Sequence, residues 1–143
     1  MAYVFPSEEW IQELKNQIAA SEEYKESGAK WEAGDICFVI YATADLGLNE
    51  KYYIWLDLFR GQCREAKRVS PEAGEKAKFL IGADYDRWQQ IFKQELDPVR
   101  AMMMGRIKVR GDLPTLIKFT KAASDLLQCA ARVPTEFLDE KKR

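Results

Sequence analysis

The sequence predicts an α+β domain, with helices packed on one face of a five-stranded, mostly antiparallel sheet. Three observations predict it. Four strand-like segments follow one another between residues 36 and 83. Helical periodicity brackets that run on both sides. A fifth strand, with clean alternation, stands between helices at residues 106–110.

Each element has a local reason. Ser7 is placed to cap a helix from Glu8, and Glu8 and Glu9 suit the positive end of its dipole. Trp10, Ile11, Leu14 and Ile18 recur at helical spacing. Ser21 caps a short second helix that stops near Gly28, with Tyr24 and Trp31 as anchors. Residues 36–43 are apolar on both faces, as in a central strand. Residues 52–60 form a strand rich in aromatic and branched side chains. Gly61 interrupts it, and residues 62–69 give a more polar third strand. Pro71 and Gly74 mark residues 70–74 as a turn. Residues 76–83 are a fourth strand, with Phe79 and Ile81 on one face and Lys78 and Leu80 on the other.

Asp84 opens a helix over 85–96, striped by Tyr85, Trp88, Ile91 and Phe92. Asp97 and Pro98 then supply an N-cap and an N1 proline for a short helix over 98–104, ended by Gly105. In residues 106–110, Ile107 and Val109 point one way and Arg106, Lys108 and Arg110 the other. A final helix is expected over 113–133, with Leu116, Ile117, Thr120, Ala123 and Leu127 on one face.

Composition narrows the function. The 143 residues suit one domain, 1–143, and 47% apolar content supports a core. A net charge of -1 argues against a dedicated nucleic-acid binder. With no histidine, the usual general base and the commonest metal ligand are missing. Cys37, Cys63 and Cys129 are far apart, so no structural zinc site is expected, and they fit a reducing, intracellular setting. The first residues lack the pattern of a secretory signal, and no apolar run is long enough to cross a membrane. The charged tail at the C-terminus is expected to be solvated.

The segment from Glu95 to Leu113, ELDPVRAMMMGRIKVRGDL, is the most distinctive. Its acidic-x-Asp-Pro start (Glu95, Asp97, Pro98) leads into an apolar helix with Ala101 and Met102. Gly105, Ile107 and Val109 follow in a basic-apolar strand, then the pair Gly111-Asp112. This block resembles the sterol carrier protein 2 family. The first helix, Tyr24, Trp31 and Trp88 are compatible with it, over roughly residues 7–130. The resemblance implies an SCP2-like fold with an apolar tunnel between sheet and helices. It also implies binding of fatty acids, fatty acyl-CoA, phospholipids or sterols, and no invariant catalytic residues or cofactor. Family members often carry a glycine just before the acidic-x-Asp-Pro segment. Lys93 and Gln94 stand here, which implies a tighter helix junction. The Lys-Lys-Arg ending differs from a peroxisomal tripeptide, which implies a prokaryotic, cytoplasmic member.

The leading reading is therefore a non-catalytic lipid binder. Its expected walls are Phe79, Ile81, Trp88, Phe92, Met102, Met103, Ile107, Leu116 and Phe119. Met102 and Met103 are expected to face inward, as core filling or as a ligand wall that can re-pack. The stripe of Arg106, Lys108 and Arg110 reads by default as a solvated strand face, with a phosphate or CoA head group as the alternative. Arg110-Gly111-Asp112 reads as a turn and a helix cap rather than an adhesion signal. The second reading is a homodimeric interaction or accessory module without a cavity. It would associate through Tyr53, Trp55 and Phe59, if the outer face of their strand is exposed rather than covered.

Overall fold

The Ser7 cap forms: its Oγ accepts the Trp10 N–H at 3.1 Å, and α1 (Glu8–Ala20) follows. In this computed structural model, which describes residues 2–141, the stretch ahead of the cap is itself a strand, β1 (Tyr3–Phe5). The last two residues of the charged tail lie outside the described residues. Ser21 caps α2 (Glu22–Ser27) through the Tyr24 N–H at 3.1 Å.

The central strands come next, β2 (Ile36–Ile40), β3 (Tyr52–Phe59) and β4 (Gln62–Val69). Arg60 and Gly61 both take positive φ, the requirement of a two-residue hairpin turn between β3 and β4. Residues 70–74, expected as a turn, form one turn of helix, α3 (Pro71–Gly74). Ser70 Oγ accepts the Ala73 N–H at 3.2 Å and Pro71 stands in the first turn, so the same residues that signal a turn also start a helix. After β5 (Phe79–Ala83) come α4 (Tyr85–Phe92), α5 (Pro98–Met103) and β6 (Lys108–Arg110).

The expected long helix is two: α6 (Leu113–Lys118) and α7 (Thr120–Arg132), broken at Phe119. The Phe119 ring packs edge-on against Trp31 at 5.1 Å, and Thr120 Oγ1 donates to the Ile117 carbonyl at 2.6 Å. The chain closes with β7 (Thr135–Phe137) and α8 (Leu138–Lys141).

The main sheet has the order β4-β3-β2-β5-β6. Three of its pairings are antiparallel, and β2 with β5 is parallel. Alternation sorts its side chains. Ile36, Phe38, Ile40, Ile54, Leu56, Phe79 and Ile81 join the helix-side core, whereas Cys37, Val39, Tyr53 and Leu80 form a smaller cluster on the other face. A second, two-stranded sheet pairs β1 with β7 in parallel, Tyr3 opposite Thr135 and Phe5 opposite Phe137. No helix among the described residues is long and apolar enough to cross a membrane.

Candidate functional site

The 95–112 block builds a groove at the edge of the sheet. Asp97 Oδ1 accepts the Val99 N–H at 3.1 Å and starts α5. Ala101 is fully buried, and its carbonyl accepts the N–H groups of Arg106 (2.9 Å) and Ile107 (3.3 Å). That pair of bonds folds the chain back sharply after Gly105, whose φ is 73°. At the far end of β6, Gly111 has φ 137°, and a Cβ there would lie 2.6 Å from the Phe79 ring. Asp112 then caps α6: Oδ1 accepts the Thr115 N–H at 3.4 Å and Oδ2 accepts from Thr115 Oγ1 at 2.8 Å. Gly111 and Asp112 thus serve as turn and cap.

Between these capped helices lies a groove of about 520 Å³. Val99, Met102 and Met103 line it from α5, Ile107 and Val109 from the edge of the sheet. Leu113, Leu116 and Ile117 line it from α6, and Thr120 from the start of α7. Leu116 also borders a separate seam of about 10 Å³, bounded by Trp31, Phe119 and α7.

Four of the expected wall residues, Met102, Met103, Ile107 and Leu116, come together on this groove. Met103 does not face inward: it is 83% exposed, on the rim. A short helix capped at Asp97 and anchored by Pro98 and Ala101 turns Met102 toward the core and leaves Met103 outside. Phe119 borders the seam. Phe79, Ile81, Trp88 and Phe92 are buried in the packed core. Trp88 Nε1–H donates to the Val39 carbonyl at 3.0 Å, and Phe92 packs against Phe5, Trp10 and Trp88. Val99, Val109, Leu113, Ile117 and Thr120 are groove residues that sequence reasoning missed. The signal was present for two of them, since Leu113 and Ile117 are spaced i, i+4.

The outer face of the sheet is not an open aromatic row. Tyr53 is buried at 2% exposure, because Gly74 of α3 lies flat on its ring; a Cβ on Gly74 would come within 2.3 Å. Trp55 is half-buried and its Nε1–H donates to Asp35 Oδ2 at 2.6 Å. Phe59 lies beneath the guanidinium groups of Arg60 and Arg64. Beside them, a cleft of about 200 Å³ is lined by Tyr41, Lys51, Glu75, Lys108 and Arg110 among others. Two of its charges, Glu75 and Arg110, pair with each other, and Lys51 Nζ lies over the Tyr41 ring at 5.3 Å. Glu75 accepts from the Tyr53 hydroxyl, and Arg110 Nη1 reaches Glu75 Oε1 at 2.7 Å. Those two bonds hold the Glu75 carboxyl below the usual carboxylate range. Burial, then the bond to Glu75, pushes the Tyr53 phenol up to about 12. No cluster of potential metal ligands is found among the described residues.

Comparison with known proteins fits this geometry. The family model of the SCP-2 sterol transfer family matches residues 11–124. The chain belongs to this family. The crystal structure of a sterol carrier protein 2 superposes with a TM-score of 0.83 at 31% identity, covering 89% of this chain and 97% of that one. The solution structure of a conserved hypothetical protein from Thermus thermophilus gives 0.81 at 30% identity, covering 91% and 90%. The apo sterol carrier protein 2 of Yarrowia lipolytica, at 21% identity and a TM-score of 0.55 over 87% and 88% of the two chains, shares the fold. No curated protein matches the chain by sequence. The sterol carrier protein 2 fold is thus established for an α+β chain whose apolar groove opens beside residues 95–112.

Proposed function

We propose that the protein is a non-catalytic carrier that holds one hydrophobic ligand in the groove between α5 and α6. The ligand classes are fatty acid, fatty acyl-CoA, phospholipid or sterol-like lipid. The observation that carries this reading is the groove itself. Its volume of about 520 Å³ falls within the usual range for small-molecule sites, and its walls are apolar apart from Thr120. Membership of a sterol transfer family supports the same assignment.

Binding would draw on the hydrophobic effect, at roughly 0.8 kcal/mol per CH₂ removed from water. Met102 and Met103 suit ligands of differing shape, because a thioether side chain has three soft torsions. Leu116 is the one buried side chain of α6, so that helix is held to the body mainly through this residue. Swinging Leu116 and Phe119 away from Trp31 would join the groove to the seam and open an apolar tunnel between the layers. The walls supply no nucleophile or acid–base pair.

Thermal-shift and native mass spectrometry with palmitic acid, palmitoyl-CoA, phosphatidylglycerol and cholesterol test the reading. At least one class is expected to give a one-to-one adduct, with stabilisation of about 2.7 kcal/mol at a hundredfold excess over Kd. Met102→Trp fills the groove and is expected to weaken that binding at least tenfold while the fold is retained. No adduct with any class, or binding indifferent to Met102→Trp, overturns it.

A further inference from the structure

Large apolar side chains are rarely exposed in this molecule, and the exceptions cluster. Among the described residues five are exposed, and four of them flank the groove: Met103 (83%), Ile117 (72%), Met104 (56%) and Leu113 (51%). The same stretch is the basic part of the chain. Residues 98–118 carry five basic side chains and one acidic one, in a protein of net charge -1. The acidic one, Asp112, is engaged in capping α6. Arg110 is tied to Glu75, whereas Arg100, Arg106 and Lys118 are exposed and make no ion pair among the described residues. Arg100 stands one turn from Met103 on α5, and Lys118 follows Ile117 on α6.

Apolar tips that project among unpaired cations match a bilayer whose surface is anionic. The tips enter the boundary between head groups and acyl chains, and the cations stay with the phosphates. We infer that the lips of the groove, α5 and α6, form a docking surface for anionic phospholipid membranes, with the groove mouth turned to the bilayer. Charge chooses the membrane over a second copy of the chain, because two such faces would oppose like charges. The hollow across α1 is bordered by Glu8, Glu9 and Glu13, so it offers anionic lipid no comparable surface. The inference concerns the lips and does not depend on what the groove holds.

Co-sedimentation with vesicles tests it. The protein is expected to bind phosphatidylcholine vesicles containing phosphatidylserine, to bind pure phosphatidylcholine far more weakly, and to be released at about 1 M salt, where the Debye length is about 3 Å. Arg100→Gln with Arg106→Gln is expected to lower partitioning roughly 25-fold, about fivefold per cation. Met103→Gln with Ile117→Gln is expected to lower it at least tenfold. All four positions are exposed, and circular dichroism confirms that the variants fold. Equal binding to both vesicle types, binding to neither, or binding unaffected by the variants overturns the proposal. Concentration-dependent dimerisation abolished by Ile117→Gln overturns it too, in favour of a self-association face. A fluorescent long-chain alcohol separates the two readings. Failure of this alcohol and of all four lipid classes above to bind wild type, while vesicle docking persists, refutes the groove as a ligand site and leaves the docking surface standing.

Discussion

Single residues explain why the outer face of the sheet is closed and chemically quiet. Gly74 is the clearest case, since only a residue without Cβ lets α3 lie on the Tyr53 ring. Gly74→Ala is expected to destabilise by about 1–3 kcal/mol, the usual cost of overpacking, read from urea denaturation. The Tyr53–Glu75–Arg110 cluster makes stability depend on pH. Glu75 is held below its ordinary value of 4.5, so its contribution is present above that pH and fades as pH falls through the lowered value. Glu75→Gln should flatten the acid limb of a stability–pH curve, by a small amount because the pair is exposed and screened by solvent. Burial pushes the Cys37 thiol up to about 12 and raises that of Cys129 as well. Both should resist iodoacetamide at neutral pH in the folded protein and react on unfolding.

At the scale of elements, two helix ends shape the groove. The first is the end of α4, where Gln94 takes φ 61° and the Glu95 N–H bonds back to the Gln90 carbonyl at 2.8 Å. That is a left-handed helix stop, the geometry a glycine fills without steric cost. Gln94 therefore occupies a conformation that glycine adopts without steric cost. Gln94→Gly is expected to leave the fold intact and to stabilise it by up to about 1 kcal/mol, as relief of left-handed strain outweighs the added freedom of the unfolded chain; thermal denaturation measures it. The second is the break at Phe119. A continuous helix would keep Leu116 and Ile117 together on the inner face. The break re-aims α6, so that Leu116 is buried and Ile117 is 72% exposed. This one kink turns an expected core stripe into the outer lip of a groove. Leu116→Ala is expected to cost about 2–5 kcal/mol, whereas Ile117→Ala should stay within about 0.5 kcal/mol.

On the scale of the whole molecule, the two ends of the chain clasp each other. Phe137 is buried among Phe5 and Tyr85, Trp10 Nε1–H donates to Thr135 Oγ1 at 2.9 Å, and Tyr85 links the Phe5 carbonyl (2.7 Å) to the Leu138 N–H (2.9 Å). Neither three-residue strand has enough length to signal itself, and each exists because the other pairs with it. Phe137→Ala is expected to cost about 3–5 kcal/mol, lowering Tm by roughly 10 °C in a calorimetric scan. The clasp secures the end of the molecule opposite in character to the groove: one side is tightly packed around aromatic rings, the other leaves Met103, Met104, Leu113 and Ile117 unburied.

The α+β class, the caps at Ser7, Ser21, Asp97 and Asp112, and the inward and outward faces of the strands were all legible in the sequence. These depend on nearest neighbours and on a period of two, both readable in one dimension. The expected walls also included Met102, Ile107 and Leu116, which line one groove. It took the folded chain to show that Phe79, Ile81, Trp88 and Phe92 are core while Leu113 and Ile117 line a groove. Burial of an apolar side chain depends on what packs over it, and that is set by partners far along the chain: Phe5 and Trp10 over Phe92, Trp31 against Phe119. The same reason separates the methionines, since an apolar residue on a capped helix faces inward only where another element is present to cover it.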